Sequence, residues 1–302
     1  MYASIPRASG VPLRGSYPVQ FRERQRRTRL ENAGVTRVVF GVAVVLYLCG
    51  TLAGLDRFPA VSQGEPWIAS SGYKLATAGA LGSDLFAGYH GMDQHHFVQM
   101  PVYPVLQAAV FRMSGLAVVQ MRVLSVAFGL ALLLVIYGLG REIGGERLGV
   151  LAGALAVVQP LTAPTAVRPI GILLLDSARM NRYDIAVPVF GLAALWVVLC
   201  EASGRRSMSC FLAGCLAGLS GLSHLYGAFW LPTLIALLAL GGLTRSTLRA
   251  AGFLIAGFAL VWLPWAIWVG LNWSDYLAQM RHRRVALRGL FAGVLPREYV
   301  FG

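Results

Sequence analysis

Seven apolar runs separated by more polar segments constrain this chain more than any other feature. They occupy about residues 37–55, 119–139, 148–165, 184–200, 210–223, 226–242 and 250–271. A helix needs roughly 20 residues to cross a bilayer, and most of these runs approach that length. The run ending at Ser223 is short for the task and suits a bent or tightly paired helix. Soluble domains carry roughly 25% charged residues, whereas this chain has 13%, and 57% of its residues are hydrophobic. One soluble core of this length cannot bury so much apolar surface, so lipid is the solvent that fits. The expected fold is an all-α integral membrane protein of about seven transmembrane helices.

Positive charge predicts the orientation. The net charge of +13 is almost entirely arginine, Lys74 being the only lysine. The densest run, Arg22 to Arg37, directly precedes the first apolar stretch. Arg141 and Arg147, Arg205 and Arg206, and Arg245 and Arg249 then fall in alternate loops. The positive-inside rule puts all of them in the cytoplasm. The chain reads as a multi-pass plasma (inner) membrane protein with a cytoplasmic N-terminus, and nucleic acid is not an expected partner. The first span reads as a retained anchor, because it exceeds a signal-peptide core and no small-residue cleavage pattern follows. Residues 1–36 are read as a disordered, basic cytoplasmic tail and 37–271 as the transmembrane domain. Residues 272–302 form an outer-face C-terminal segment, whose basic character mildly violates the rule. The four cysteines, Cys49, Cys200, Cys210 and Cys215, lie in or beside apolar runs and are read as small buried hydrophobes.

The same map sorts the acids. Glu23, Glu31, Glu142, Glu146 and Glu201 fall inside, and every aspartate falls outside, with Glu65 and Glu298. No carboxylate lies at a helix centre, which disfavours an ion pump built on a mid-membrane relay. Chemistry is expected at the outer interface, where the first outer loop, 56–118, is by far the longest. Pro66 after Glu65 suits the first turn of a helix, and an acid is favourable there. A second helix is expected near Val102 to Val119, after Met100-Pro101. Both are expected to lie at the membrane interface, with Trp67 and Tyr73 at headgroup level.

In order and topology these residues resemble the membrane glycosyltransferases of the C-type fold, particularly the bacterial family of protein mannosyltransferases and aminoarabinose transferases. The resemblance rests on Gly64-Glu65 for an acidic pair, Met100-Pro101-Val102-Tyr103-Pro104 for a Pro-led stretch, and Arg122-Val123-Leu124-Ser125 entering the second span. Gly138-Leu139-Gly140-Arg141-Glu142 resembles the cytoplasmic turn, and Ser177-Ala178-Arg179 with Arg182-Tyr183-Asp184 the second outer motif. It covers about residues 37–271. Two departures stand out: Gly64 leaves Glu65 as the only carboxylate of the pair, and family members usually continue beyond the point where this chain stops.

The resemblance implies transfer of a sugar from a polyprenyl-phosphate donor to a lipid, protein or glycan acceptor outside the cytoplasm, with inversion. Such chemistry needs a carboxylate to deprotonate the acceptor and a guanidinium to grip the departing phosphate. Glu65 is the expected catalytic residue, the alternative being a helix-start acid. Arg182, then Arg179, are the expected phosphate ligands, the alternative being headgroup anchors. Asp184, His224 and Asp84 are further substrate-binding candidates. Asp93, His95 and His96 have the chemistry to ligate a divalent metal, although polar surface is the plainer reading; no other cofactor is called for. Two competing functions are carried: a transporter or flippase of lipid-linked intermediates, disfavoured by the lack of an internal repeat, and a truncated, non-catalytic membrane scaffold.

Overall fold

A computed structural model describes residues 19–158, 173–200, 206–240 and 242–281. Expectations placed on residues 1–18, on 159–165 at the end of the third apolar run, on 166–172 of the loop that follows it, on Glu201 and Arg205, and on the tail beyond 281 lie outside the described residues. Those residues form nine α-helices, short 3₁₀ turns and no strand. They are α1 (Val19–Leu52), α2 (Gly64–Ala78), α3 (Val102–Ser114), α4 (Val118–Val158), α5 (Leu173–Ala178), α6 (Ala186–Leu199), α7 (Arg206–Ser223), α8 (Trp230–Leu240) and α9 (Arg245–Leu271).

Helices stand at all seven apolar runs. Three are long and apolar enough to cross a membrane: α1, α4 and α9. The other apolar helices, α6, α7 and α8, are shorter. The α4 run is in fact a hairpin, because Gly144 and Gly145 leave helical geometry, and Gly145 has φ 81°. A side chain rarely tolerates that left-handed region, so the Gly-Gly pair is where the chain can reverse. Its two arms touch at Gly140 and Gly149. One expectation needs correcting: residues 19–36 are not an irregular tail but the first turns of α1. Arg, Gln, Glu and Leu are strong helix formers, and the apolar span behind them supplies a ready nucleus.

The surface has the inverse pattern of a soluble protein. Val38, Val42, Val45 and Leu46 on α1, and Ile255, Leu260, Leu263 and Ile267 on α9, are all exposed. Of the cysteines only Cys210 is buried; Cys49 and Cys200 are exposed, so the expectation of burial holds for one position in the core and fails at these two.

Packing between helices relies on small residues, which let backbones approach when lipid gives no hydrophobic drive to associate. On the α7–α9 seam, a side chain at Gly214 would run into the Leu254 carbonyl, and one at Gly257 into the Phe211 carbonyl. Trp262 Nε1 donates across this seam to the Gly218 carbonyl at 3.1 Å. A second core gathers Tyr47 of α1, Val126, Phe128 and Leu133 of α4, and Ile185, Ala186 and Val189 at the start of α6. Ile68 of α2 and Tyr103 of α3 join it, so the segment between α1 and α4 is packed onto the long helices as a roof. Phe97, Leu222 and Trp265 tie the far side of the roof to α7 and α9.

Candidate active site

Beneath the roof lies a closed polar network centred on Glu65. Ser62-Gln63-Gly64-Glu65 has the capping-box pattern, and Glu65 Oε1 accepts from the Ser62 N–H at 3.1 Å. Arg122, entering α4, grips the same carboxylate with both prongs: Nε donates to Oε2 at 2.7 Å and Nη2 to Oε1 at 2.8 Å. The Asn181 N–H completes the set at Oε2, 2.9 Å away. Both partners of the ion pair are essentially buried, at 0% and 1% side-chain exposure for Arg122 and Glu65. Arg122 also donates to the Leu55 and Pro59 carbonyls, each at 2.9 Å. Each Glu65 oxygen therefore already accepts two hydrogen bonds, which leaves it no position from which to take a substrate proton.

The network continues to the second outer motif. Asn181 Nδ2 donates to the Glu65 carbonyl at 2.9 Å, while its Oδ1 accepts from Tyr103 Oη and Gln107 Nε2, each at 2.9 Å. Tyr103 Oη also lies 2.8 Å from Ser125 Oγ, which accepts from the Arg182 N–H at 3.0 Å. The backbone of 181–182 is thus pinned from three elements, and the Arg182 side chain emerges from a fixed point. Burial raises the Tyr103 phenol above its ordinary pKa, so it acts here as a neutral hydroxyl.

Arg179 is spent on structure. Its guanidinium donates to the Gly50, Thr51, Ala53, Gly54 and Phe58 carbonyls at the end of α1. A cation there meets the negative end of the helix dipole and the orphan carbonyls of the last turn. Burial, and then the neighbouring Arg122, lower its pKa.

Arg182 differs. It is 47% exposed and pairs with Asp184, which is 33% exposed, through Nε at 3.0 Å and Nη2 at 2.5 Å. Both contacts go to one oxygen, Oδ2, so Asp184 Oδ1 and Arg182 Nη1 keep free hydrogen-bonding positions among the described residues. A pair this exposed is worth about 0–1 kcal/mol, whereas removing one partner of a buried pair costs about 3–5 kcal/mol. That contrast separates the two ion pairs: the Glu65–Arg122 clamp is costly to break, and the Arg182–Asp184 pair opens at little cost.

Two cavities meet at this exposed pair. The first, about 560 Å³, has apolar walls from Leu132, Ile136, Leu174, Ile185 and Pro188 and polar lining from Asp176, Ser177, Arg182 and Asp184. The second, about 410 Å³, is more polar, with Trp67, His96, Gln99, Asn181 and His224 around the same Arg182 and Asp184. The His224 ring stacks on Tyr183 at 5.5 Å and leans on Tyr226 at 4.2 Å.

Of the site residues expected from sequence, Arg182, Asp184 and His224 come together around the cavities. Glu65 and Arg179 lie behind them in the scaffold. Asp84 is bound to Lys74 and lines neither cavity. Among the described residues no three side chains could hold a metal ion. His95 pairs with Asp275 at 3.0 Å, His96 with Ser71 at 2.7 Å, and Asp93 with Gln94 at 2.9 Å, so the three metal candidates turn to separate partners. Trp67, Gln99 and Tyr226 line the cavities although no motif singles them out; Arg122, read only as part of a motif, supplies the buried cation.

No protein-family model and no curated protein matches this chain. Among solved structures it shares its fold with the archaeal oligosaccharyltransferase AglB from Archaeoglobus fulgidus in complex with an inhibitory peptide and a dolichol-phosphate. That likeness has a TM-score of 0.57 at 18% identity and covers 76% of this chain and 29% of the other. A second structure, an A. fulgidus oligosaccharyltransferase with zinc and sulfate, matches at TM-score 0.59 and 18% identity, over 85% of this chain and 37% of the other. The chain shares a fold with part of these two structures and spans about a third of their length.

Proposed function

We propose that this chain is the membrane core of a glycosyltransferase that moves a sugar from a polyprenyl-phosphate donor to an acceptor on the non-cytoplasmic face. The observation that carries the reading is the meeting of an apolar cavity and a polar cavity at one exposed Arg182–Asp184 pair. With a cytoplasmic N-terminus, the apolar cavity descends into the bilayer. Leu132 and Ile136 lie roughly 15–20 Å along α4 from Arg122, at about 1.5 Å per residue. A hydrocarbon tail fits that wall, a phosphate fits the free guanidinium edge of Arg182, and a sugar fits the polar chamber. A structure of the same fold that holds a dolichol-phosphate and an inhibitory peptide supports a reading with a lipid phosphate as carrier.

Under this reading the acceptor oxygen bonds to the sugar's anomeric carbon while the bond from that carbon to the phosphate oxygen breaks. The bonding pair leaves with the polyprenyl phosphate. Arg182 turns from Asp184 toward the phosphate and stabilises its growing charge. Asp184, released from Arg182, accepts the acceptor's proton at Oδ1 or Oδ2. Glu65 is a positioning residue that, with Arg122 and Asn181, fixes the backbone from which Arg182 projects.

The test is transfer by the protein in liposomes from radiolabelled polyprenyl-phosphate mannose, glucose, galactose or aminoarabinose. Arg182→Ala and Asp184→Asn are each expected to lower kcat/KM by about 10²–10³-fold, the usual cost of a lost charge-stabilising group. No turnover with any donor, or undiminished turnover in Arg182→Ala, would sink the reading.

A further inference from the structure

Two residues that line the polar cavity each carry a buried hydrogen-bonding atom that the described residues leave without a partner, His96 Nε2 and Gln99 Oε1. Both side chains have a partner at their other end. His96 Nδ1 lies 2.7 Å from Ser71 Oγ on α2, and the ring packs on Phe86 at 5.3 Å. Gln99 Nε2 donates to the Ile68 carbonyl at 3.4 Å. His96 is 2% exposed and Gln99 8% exposed, so bulk water does not supply what is missing. Buried polar atoms are nearly always satisfied in native proteins, and two exceptions on one cavity wall point to a ligand.

The rest of the wall defines its class. Burial pushes the His96 pKa down to about 4, so at neutral pH the ring is an uncharged hydrogen-bonding group. Gln99 is uncharged as well. Trp67, 45% exposed and braced edge-on by Phe86 at 5.7 Å, offers an apolar face. Neutral polar atoms beside an aromatic face suit a ring that is hydroxylated at its edge and C–H-bearing on its faces. The cavity's 410 Å³ falls in the range of about 300–1,000 Å³ typical of small-molecule sites.

We propose that His96 and Gln99 read the hydroxyl groups of the donor sugar, so that this wall decides which sugar the chain accepts. Either tautomer of His96 leaves Nε2 one position for a sugar hydroxyl, as donor or acceptor. Gln99 Oε1 accepts from a second hydroxyl. The inference rests on the function proposed above.

Binding separates the two ideas. The probes are decaprenyl phosphate and decaprenyl phosphate carrying mannose, glucose, galactose or arabinose, titrated against the full chain in lipid nanodiscs. The wild type is expected to bind at least one sugar-bearing lipid about tenfold or more tighter than the bare phosphate, as two neutral hydrogen bonds allow. His96→Phe, and separately the shape-conserving Gln99→Met, should reduce that ratio to about threefold or less. Neither should change affinity for bare decaprenyl phosphate, which also shows that the variants are folded. Variants that keep the wild-type ratio, or a wild type that prefers no sugar-bearing lipid, would overturn the assignment. A wild type that does not bind bare decaprenyl phosphate would instead overturn the glycosyltransferase reading itself.

Discussion

Replacing Glu65 should damage folding far more than chemistry, and its partner tells the two apart. Glu65→Leu leaves the Arg122 guanidinium fully buried with two carbonyls and no counter-charge. Breaking a buried pair in this way costs about 3–5 kcal/mol, a large share of a typical total of about 5–15 kcal/mol. Arg122→Met strands the carboxylate and should cost about as much. The double variant Glu65→Leu/Arg122→Met buries no charge, but the Ser62 and Asn181 N–H groups lose their acceptor and the Leu55 and Pro59 carbonyls lose their donor. Each single strands two of these groups and a buried charge, whereas the double strands the four groups and no charge, so its loss should fall about 1–3 kcal/mol short of the about 6–10 kcal/mol sum of the singles. Denaturant titration of purified protein in mixed micelles gives the three values. The folded fraction of the double variant should keep donor turnover within about tenfold of wild type, because the proposed reaction runs on Arg182 and Asp184. Additive losses would refute the coupling. A double variant that folds but turns over more than a thousandfold more slowly would return Glu65 to the reaction.

Other consequences follow from the same geometry. Arg179→Ala frees the carbonyls at the end of α1 and should cost about 1.5–3 kcal/mol or more, without changing the affinity of the folded fraction for decaprenyl phosphate. Thermal unfolding combined with lipid titration checks both halves. His96 makes stability pH-dependent on the acid side. Its pKa falls from 6.5 to about 4 on folding, so its neutral form contributes fully above pH 6.5 and is lost as the pH falls toward 4. At about 1.4 kcal/mol per unit that loss amounts to about 3 kcal/mol, and His96→Phe should flatten it. Gly214→Val should drive a side chain into the Leu254 carbonyl and separate α7 from α9, at a cost of about 1–3 kcal/mol read from denaturant midpoints.

Much of the fold is legible in the sequence because its determinants are local. Apolar runs mark α1, α4 and α6 to α9, Pro66 and Pro101 mark the starts of α2 and α3, and the Gly144–Gly145 pair flanked by Arg141 and Arg147 marks the α4 turn. The site is only partly legible because its determinants are not. A carboxylate that catalyses and one that braces a scaffold look alike in sequence; the difference is Arg122, 57 positions away. Arg179 looks like a phosphate ligand until its guanidinium is found on carbonyls more than 120 positions earlier. His95 and His96 suggest a metal pair by adjacency, yet neighbouring residues of an irregular segment face different ways, one toward Asp275 and the other toward Ser71. Gln99 carries no motif at all, and only its unmet oxygen beside the cavity gives it meaning.

The most direct test of the central claim is to see where a lipid phosphate sits. A polyprenyl phosphate with a photoreactive group near its phosphate can be crosslinked to the protein in nanodiscs and the labelled peptides mapped. Labelling should concentrate on residues 174–188 and on α4 around Leu132 and Ile136, be displaced by unmodified polyprenyl phosphate, and vanish in Arg182→Ala. Labelling scattered over the exposed faces of α1 and α9, indifferent to competitor and to Arg182, would contradict the account.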